Sequence, residues 1–160
     1  MNQARYELII PAPIERVWKF HESARTALPL LAPPGSDPRL ERVDEPHKVG
    51  SKVIINAKGP LGKRMRWVAL YERLEPVHTS PDGTRHASFT DIQESGPFKS
   101  WRHSHEMTAI DANTTRLLDT IDYEVPLGFL GNIANTLFVK GQLDAMFKHR
   151  HAVTLREMQS

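Results

Sequence analysis

The chain has 160 residues, 25% of them charged and 39% hydrophobic, which suits one soluble globular domain with a sizeable core. Lys and Arg exceed Asp and Glu by only 21 to 19, so no nucleic-acid partner is expected. The lack of cysteine excludes disulfides, thiolate catalysis and cysteine-ligated zinc, and it fits a reducing cytoplasm. No apolar run is long enough for a signal peptide or a membrane span, so we expect a single cytoplasmic domain over residues 1–160.

The first half of the chain alternates short apolar segments with turns rich in proline. A strand over 6–10 ends at Pro11, and a helix over 14–21 follows Pro13, a residue favoured in the first turn of helices. A second short helix is expected over 26–31, and further prolines then break the chain. The next residues predict strands over 40–44, 52–58 and 65–74 and a loop over 76–83.

The stretch over 85–107 contains the most informative pattern. Gly96-Pro97 predicts a turn between two strands, and side chains of a strand alternate between its faces. One face therefore collects Ala87, Phe89, Asp91, Gln93, Trp101, His103, His105 and Met107. The opposite face of the second strand, which suits solvent, carries Arg102, Ser104, Glu106 and Thr108. Buried polar groups need partners, so the first face predicts a hollow with polar contents instead of a solid core.

The second half of the chain ends in a strand and a long helix. The strand is expected over 115–125, and residues 132–157, which contain no proline, predict one helix. A broad apolar band on this helix comprises Ile133, Ala134, Leu137, Phe138, Gly141, Met146, Phe147, Val153 and Leu155. The basic run over 148–151 is expected on a solvated face near the C-terminus, where cations suit the helix dipole. Gly141 either makes room for a ligand or has a neutral packing role.

A run of antiparallel strands with helices at its ends predicts the α+β class. The chain also resembles the SRPBCC or START-like superfamily, which includes the birch-pollen allergen and polyketide cyclases. The resemblance covers nearly the whole chain and rests on Ile10-Pro11-Ala12-Pro13, Ile14-Glu15-Arg16-Val17-Trp18, Phe89-Thr90-Asp91-Ile92-Gln93, Gly96-Pro97-Phe98, Trp101-Arg102-His103-Ser104-His105, Asp119-Thr120-Ile121-Asp122-Tyr123 and Met146-Phe147-Lys148-His149-Arg150-His151. It implies the helix-grip fold: a curved antiparallel sheet of six or seven strands around a long C-terminal helix, with two short helices after the first strand.

The resemblance also implies a hollow between the sheet and the long helix, but members of the superfamily differ in function. Our main prediction is binding, sequestration or transport of a small, largely hydrophobic molecule such as a lipid, a polyketide or an aromatic compound, without a cofactor. The alternatives are a cyclase, dehydratase or hydrolase-like enzyme that uses the same cavity, and a protein-interaction module with a filled interior. A deep pocket would favour the first two, and turnover separates them.

Three side chains of the inward face are the candidates for catalysis: Asp91, His103 and His105. Asp91 faces the histidine strand across the hairpin, and a carboxylate–imidazole pair is either a general acid/base or an ordinary buried polar pair. Asp119 is placed to join them, whereas Asp122 lies on the opposite face of its strand. The spacing of the two histidines also suits a metal pair. The sequence places no further convergent ligand, so we expect no metal.

The remaining candidates concern the wall of the cavity and its entrance. The full set of expected ligand-binding residues is Trp67, Phe89, Asp91, Gln93, Trp101, His103, His105, Asp119, Tyr123, Leu137 and Gly141. Alternatively, the aromatic residues among them simply fill the core. Pro-Leu-Gly occurs at 60–62 and at 126–128, so Leu61, Phe129 and Leu130 are candidates for exposed apolar tips. Such tips suit ligand entry or a transient membrane-surface contact, and the alternative is two turns that bury them.

Overall fold

The computed structural model of the protein describes residues 1–59, 61–126 and 132–160, and the side chains of all of these except 132–136. Its strands are β1 (Asn2–Ile10), β2 (Arg39–Val43), β3 (Lys52–Lys58), β4 (Arg64–Thr79), β5 (Arg85–Ser95), β6 (Ser100–Asp111) and β7 (Thr114–Glu124). Its helices are α1 (Ile14–Glu22), α2 (Ala24–Leu31) and α3 (Asn132–Gln159). In this described part of the chain, no helix has the length and hydropathy needed to cross a lipid bilayer.

The seven strands form one antiparallel sheet in the order β1-β7-β6-β5-β4-β3-β2. Strands β2 to β7 are neighbours in chain order, and β1 pairs with β7 from Asn2 opposite Tyr123 to Ile10 opposite Thr115. The two short helices α1 and α2 form the connection from β1 to the far edge at β2, so the antiparallel meander is uninterrupted. This architecture confirms the predicted α+β helix-grip fold.

Helix α3 packs against the sheet through one row of side chains. Phe147 stacks on Tyr6 of β1 with ring centroids 4.2 Å apart, and the Tyr6 hydroxyl donates a hydrogen bond to Asp144 at 2.8 Å. The buried cluster at this contact contains Trp101, Ile121, Tyr123, Leu143 and Phe147. These contacts determine which side of α3 faces the interior.

A second buried cluster lies beside α1, and we call it the α1 core. Its members, all at most 7% exposed, include Ile10, Val17, Trp18, Phe89, Met107 and Leu117. Trp18 meets Phe89 edge-on with ring centroids 6.1 Å apart. This region is densely apolar, and Phe89 is the point at which it borders the cavity described below.

Two predicted boundaries differ clearly from the structure: β1 begins at Asn2 instead of Tyr6, and β4 ends at Thr79 instead of Leu74. The expected loop over 76–83 starts later, because β4 continues through Pro76 to Thr79. The pairing of β4 with β5 shifts register between Glu75 and His78. Pro76 therefore occupies an irregularity of the ladder, where its missing N–H removes no regular hydrogen bond.

Candidate functional site

A cavity of about 900 Å³ lies between the inner face of the sheet and helices α2 and α3. Much of its wall is apolar and includes Ala27, Leu28, Leu31, Val53, Ile55, Trp67, Ala69, Val139, Leu143 and Met146. Volume and lining are those of a small-molecule site. Four ionisable side chains from β5, β6 and α3 also reach the cavity, and we call them the polar end: Asp91, His103, His105 and Arg150.

Strand register brings the polar end together. Asp91 on β5 lies opposite His103 on β6, and His105 on β6 lies opposite Asp119 on β7. Residues two apart on a strand share a face, so the two imidazoles lie side by side with ring centroids 3.8 Å apart. His103 contacts Phe147 of α3 at a centroid distance of 5.5 Å. Asp91, His103 and His105 therefore lie in one neighbourhood on the inner face of the sheet.

Asp119 lies behind the two imidazoles, 3% exposed and outside the cavity wall. His103 donates its Nε2–H to Asp119 Oδ1 at 2.9 Å. Nδ1 of His105 lies 2.8 Å from the same oxygen, although its direction is poor for a hydrogen bond. On the cavity side, Nε2 of His105 lies 3.5 Å from Asp91 Oδ1. One buried carboxylate oxygen thus accepts a hydrogen bond from His103 and lies close to the ring of His105.

Aromatic packing holds the His105 ring in place. Phe89 stacks on it with ring centroids 3.9 Å apart and an interplanar angle of 17°. The His103 ring lies tilted against the His105 ring, with ring centroids 3.8 Å apart. Trp101 in turn packs against the His103 ring, with a centroid distance of 6.1 Å. The imidazoles are therefore preorganised by packing as well as by Asp119.

Burial and charge give the two histidines opposite protonation preferences. Burial, together with the nearby His105, lowers the pKa of His103 to about 4, so His103 is neutral at pH 7. Burial also opposes the charged form of His105, but Asp119 and Asp91 outweigh it and raise the pKa of His105. Burial works against the charged form of Asp119, yet the histidines hold the pKa of that carboxyl well below its usual range. The neutral imidazole of His103 thus lies beside the imidazole of His105, which keeps its proton more readily.

Arg150 is a cavity residue that sequence reasoning placed wrongly on the solvated face over 148–151. Its guanidinium carbon lies 5.4 Å from the centroid of the Phe147 ring, and it lines the cavity. Burial lowers the pKa of Arg150 from its usual value, while the charges of Asp119 and Asp91 oppose that shift. Arg150 is three residues from Phe147, a helical spacing that could have placed it on the inward side.

His21 of α1 is another cavity residue that was not among the candidates. It is 7% exposed and donates its Nδ1–H to the Val17 carbonyl at 2.9 Å. Burial lowers the pKa of His21 to about 4, so it is neutral at pH 7. His21 follows Val17 by four residues, so the two side chains share one side of α1. This spacing could have placed His21 inward, because that side of α1 meets both the α1 core and the cavity.

The aromatic candidates divide between the cavity wall and the packing behind it. Trp67, Phe89 and Trp101 line the cavity, and the two tryptophans meet edge-on at 5.1 Å. Tyr123 is 2% exposed and packs against Trp101 with ring centroids 6.4 Å apart. It is not part of the wall, so the expectation that Tyr123 lines the cavity is wrong, and the alternative of core filling holds for this residue.

Gln93 stabilises the β5–β6 turn and does not line the cavity. Its side-chain amide donates to the Phe98 carbonyl at 2.8 Å, and its amide oxygen accepts the Phe98 N–H at 3.1 Å. A Cβ at Gly96 would collide with this amide, which explains the glycine at that position. The predicted inward role of Gln93 is therefore wrong, because the turn recruits its side chain.

Two candidates on α3 face away from the cavity. Leu137 is 66% exposed, and Gly141 is exposed with no atom within 4 Å of a Cβ built on it. Successive residues of a helix differ by about 100°, so Leu137 lies about 120° around α3 from Leu143. The expectation that Leu137 and Gly141 line the cavity is wrong, and Val139 lies there instead.

One of the three predicted apolar tips can be located. Leu61 is 84% exposed and lies between Gly59 and Gly62, which both line the cavity. Leu61 is therefore an exposed apolar side chain at the edge of the cavity. Phe129 and Leu130 lie outside the described residues.

No protein-family model and no curated protein sequence matches the chain. The structure is similar to the Zhui aromatase/cyclase from a Streptomyces species, with a TM-score of 0.74 and 14% identity over 99% of this chain and 93% of that one. It is also similar to a START superfamily protein from Mycobacterium smegmatis, with a TM-score of 0.65 and 11% identity over 96% and 97% of the two chains.

A plant enzyme has a related structure. Norcoclaurine synthase from Thalictrum flavum gives a TM-score of 0.60 with 16% identity, over 97% of this chain and 94% of that one. At identities this low the likeness is one of fold. The chain therefore shares the helix-grip fold with these three proteins.

Proposed function

We propose that the protein binds a small, largely hydrophobic molecule in the cavity between the sheet and α3, and that it sequesters or transports this molecule. The observation that carries the proposal is the cavity of about 900 Å³, with a mainly apolar wall and a polar end. Lipids, polyketides and aromatic compounds have the matching chemistry, an apolar body with a few oxygen atoms. Similarity to START and aromatase/cyclase structures supports this class of ligand.

The apolar wall and the polar end would contribute differently to binding. A ligand that buries about 300 Å² of apolar surface gains roughly 7 kcal/mol from leaving water. A hydrogen bond adds only about 0.5–1.5 kcal/mol net. Neutral His103 offers an acceptor nitrogen, and Arg150 offers donors. We therefore assign most of the affinity to the wall and the orientation of the ligand to the polar end.

Exposed apolar side chains at the edge of the cavity support an entry route for such a ligand. Phe138 lines the cavity and is nevertheless 42% exposed, and Leu61 lies between two cavity glycines. Both would meet an apolar ligand first, or a membrane surface during a transient contact from which the ligand is taken. The lack of cysteine supports action in the cytoplasm.

A cyclase, dehydratase or hydrolase-like enzyme is the second candidate, and the shared Asp119 carboxylate favours it. His103 uses Nε2 to bond Asp119, so its Nδ1 is free to accept a proton from a bound molecule. The adjacent His105 holds a proton that it could donate. The third alternative, an interaction module with a filled interior, has no support from a chain with a cavity of this size.

The test of the proposal is titration with an apolar fluorescent probe, followed by competition with fatty acids and aromatic polyketides. We expect one probe per chain and displacement by molecules that combine an apolar body with a hydroxyl, carbonyl or carboxylate group. Native mass spectrometry of protein purified from its own host would give the mass of a co-purified ligand. A folded protein that binds neither probe nor competitor would contradict the proposal.

The His103→Ala variant separates binder from enzyme. A binder loses one hydrogen bond, so affinity for polar-ended ligands falls by about 0.5–1.5 kcal/mol while affinity for purely apolar ligands is unchanged. An acid/base catalyst loses about 10²–10⁴-fold in turnover and keeps nearly all of its binding. Glu106→Ala, on the exposed outer face of the same strand, is the matched control and should change neither quantity.

A further inference from the structure

We propose that Asp91, His103 and His105 bind a divalent transition metal at the polar end of the cavity, with Asp119 orienting both histidines. Two imidazoles and one carboxylate are a ligand set that zinc and ferrous iron both accept, with further coordination positions open toward the cavity. The histidine spacing alone lacks a third ligand. The sheet register provides it by pairing Asp91 with His103.

The distances within the set fit a single ion. One ligand atom from each of the three residues lies within 4.8 Å of the others. Metal–ligand bonds of about 2.1 Å place two ligands of a tetrahedral ion about 3.4 Å apart. Nε2 of His105 and Oδ1 of Asp91 are 3.5 Å apart, which is long for a hydrogen bond and suitable for two ligands of one ion. The remaining ligand atom, on His103, lies within the same 4.8 Å limit.

The contacts behind the histidines determine which nitrogens face the ion. His103 donates Nε2–H to Asp119 at 2.9 Å, which leaves Nδ1 as its ligand atom. Nδ1 of His105 faces the same oxygen at 2.8 Å, which leaves Nε2 toward Asp91. Metal-binding histidines generally direct the other ring nitrogen to a carboxylate or carbonyl, which fixes the ring. Asp119 does this for His103, and the same oxygen lies 2.8 Å from Nδ1 of His105.

The local charge also suits a cation. Asp91 and Asp119 bring two carboxylates against a mainly apolar interior, where uncompensated charge is costly. Arg150 supplies one positive charge from α3, close enough to act on both carboxylates. The two carboxylates outnumber the single guanidinium, so a divalent ion that displaces the proton of His105 would bind against net negative charge, and its open position would accept an oxygen atom of a bound molecule.

The experiment is a titration of the chelator-treated full chain with Co²⁺, with Zn²⁺ and, without oxygen, with Fe²⁺, all in the absence of organic ligand. We expect one equivalent of metal per chain, with the visible Co²⁺ bands of four or five coordination. His103→Ala and His105→Ala should each weaken binding by about 100-fold or more. Asp119→Asn should weaken it by about 10–100-fold, because it disturbs the orientation of both rings. The relative affinities distinguish a zinc site from an iron site.

His78 and His86 provide a matched control, because they are paired across β4 and β5 away from the cavity, with ring centroids 6.3 Å apart. Such a pair holds transition metals weakly by itself. The double variant His78→Ala/His86→Ala should leave the stoichiometric binding unchanged. Circular dichroism establishes that each variant is folded, and Asp91→Asn serves as a second ligand variant if a histidine change prevents folding.

Two results would overturn the metal proposal. One is a folded wild-type protein that binds no equivalent of any of the three ions. The other is binding that survives His105→Ala and disappears in the His78→Ala/His86→Ala variant. The apolar-probe assay on the same protein separates this proposal from the ligand proposal: probe binding without metal binding contradicts only the metal site, and metal binding without probe binding contradicts only the ligand site.

Discussion

Met107 and His105 are neighbours on the inner face of β6, yet their surroundings differ completely. Met107 lies opposite Leu117 of β7, and His105 lies opposite Asp119 of the same strand. All four are nearly inaccessible, with exposed fractions of 1%, 2%, 3% and 3% respectively. Burial of the first pair stabilises the fold because apolar surface leaves water. Burial of the second pair costs free energy that hydrogen bonding and opposite charge only partly offset.

The two pairs also face different neighbours. Met107 and Leu117 belong to the α1 core, together with Ile10 and Val17. His105 lines the cavity beneath α3. One pair of strands therefore supplies a solid core at one end and the wall of a cavity in its middle. Sites where a chain departs from the rules of a stable interior are the sites to which function is best assigned.

The largest expected effect is on the apolar pair. Leu117→Ala should lower the free energy of unfolding by about 2–5 kcal/mol, because it removes a fully buried side chain and leaves a void. Urea unfolding measures this change, and probe affinity should stay within about twofold. Leu118→Ala, on the partly exposed other face of β7, is the control. An equal loss of unfolding free energy in both variants would mean that burial in the α1 core is not the main apolar contribution to stability at this end of the strands.

The next effect concerns pH and His21, which lies where the two regions meet. Its pKa is lowered to about 4, chiefly by burial, while His105, Asp119 and Arg150 also act on its charge. The unfolded chain binds this proton near pH 6.5, so folding stability should fall by about 3 kcal/mol as pH decreases from about 6.5 to 4. Urea midpoints across this range measure the loss.

The His21→Gln variant is the control for the pH effect, because glutamine does not titrate. Its stability should decrease less steeply between pH 6.5 and 4. The part of the decrease that remains belongs to other buried groups such as His103, whose pKa is also lowered to about 4. An unchanged pH profile in the variant would show that His21 is not buried in its neutral form.

The smallest expected change in stability comes from removing the polar pair as a whole. The double variant His105→Leu/Asp119→Leu should change the free energy of unfolding by less than Leu117→Ala does, because the desolvation cost disappears together with the attraction and only the Nε2–H of His103 loses its acceptor. Asp119→Leu alone should be less stable than the double variant, since it leaves His105 without its carboxylate. Urea unfolding tests both statements. A double variant less stable than Leu117→Ala would remove the distinction between the two regions.

Strand alternation was sufficient to predict the inward positions of Asp91, His103 and His105. The period of a strand is set by its own backbone, so two residues apart always means the same face. The same reasoning predicted that Asp119 and not Asp122 joins the histidines. The register that brings these strands together, however, depends on the turns, and Gln93 shows how a turn can engage a side chain that was expected to line the cavity.

Helix α3 was less predictable, because its apolar residues are spread around much of its circumference. Leu137 and Gly141 belong to the apolar band but face solvent, whereas Arg150 belongs to a basic run and faces the cavity. The side that docks is selected by tertiary contacts such as the stacking of Phe147 on Tyr6. Local sequence does not contain that information, since helical propensity is the same whichever side is buried.

The central claim is that the interior holds a small apolar molecule, and probe titration of a cavity-filling variant tests it most directly. Ala69 of β4 lines the cavity, so Ala69→Phe places a ring where the ligand would lie. Ala152→Phe, at an exposed position of α3, is the matched control. The account predicts that wild type and Ala152→Phe bind one probe equally well and that folded Ala69→Phe binds it at least about tenfold more weakly, a difference of about 1.4 kcal/mol. Equal binding by all three folded proteins, or no binding by the wild type, would contradict it.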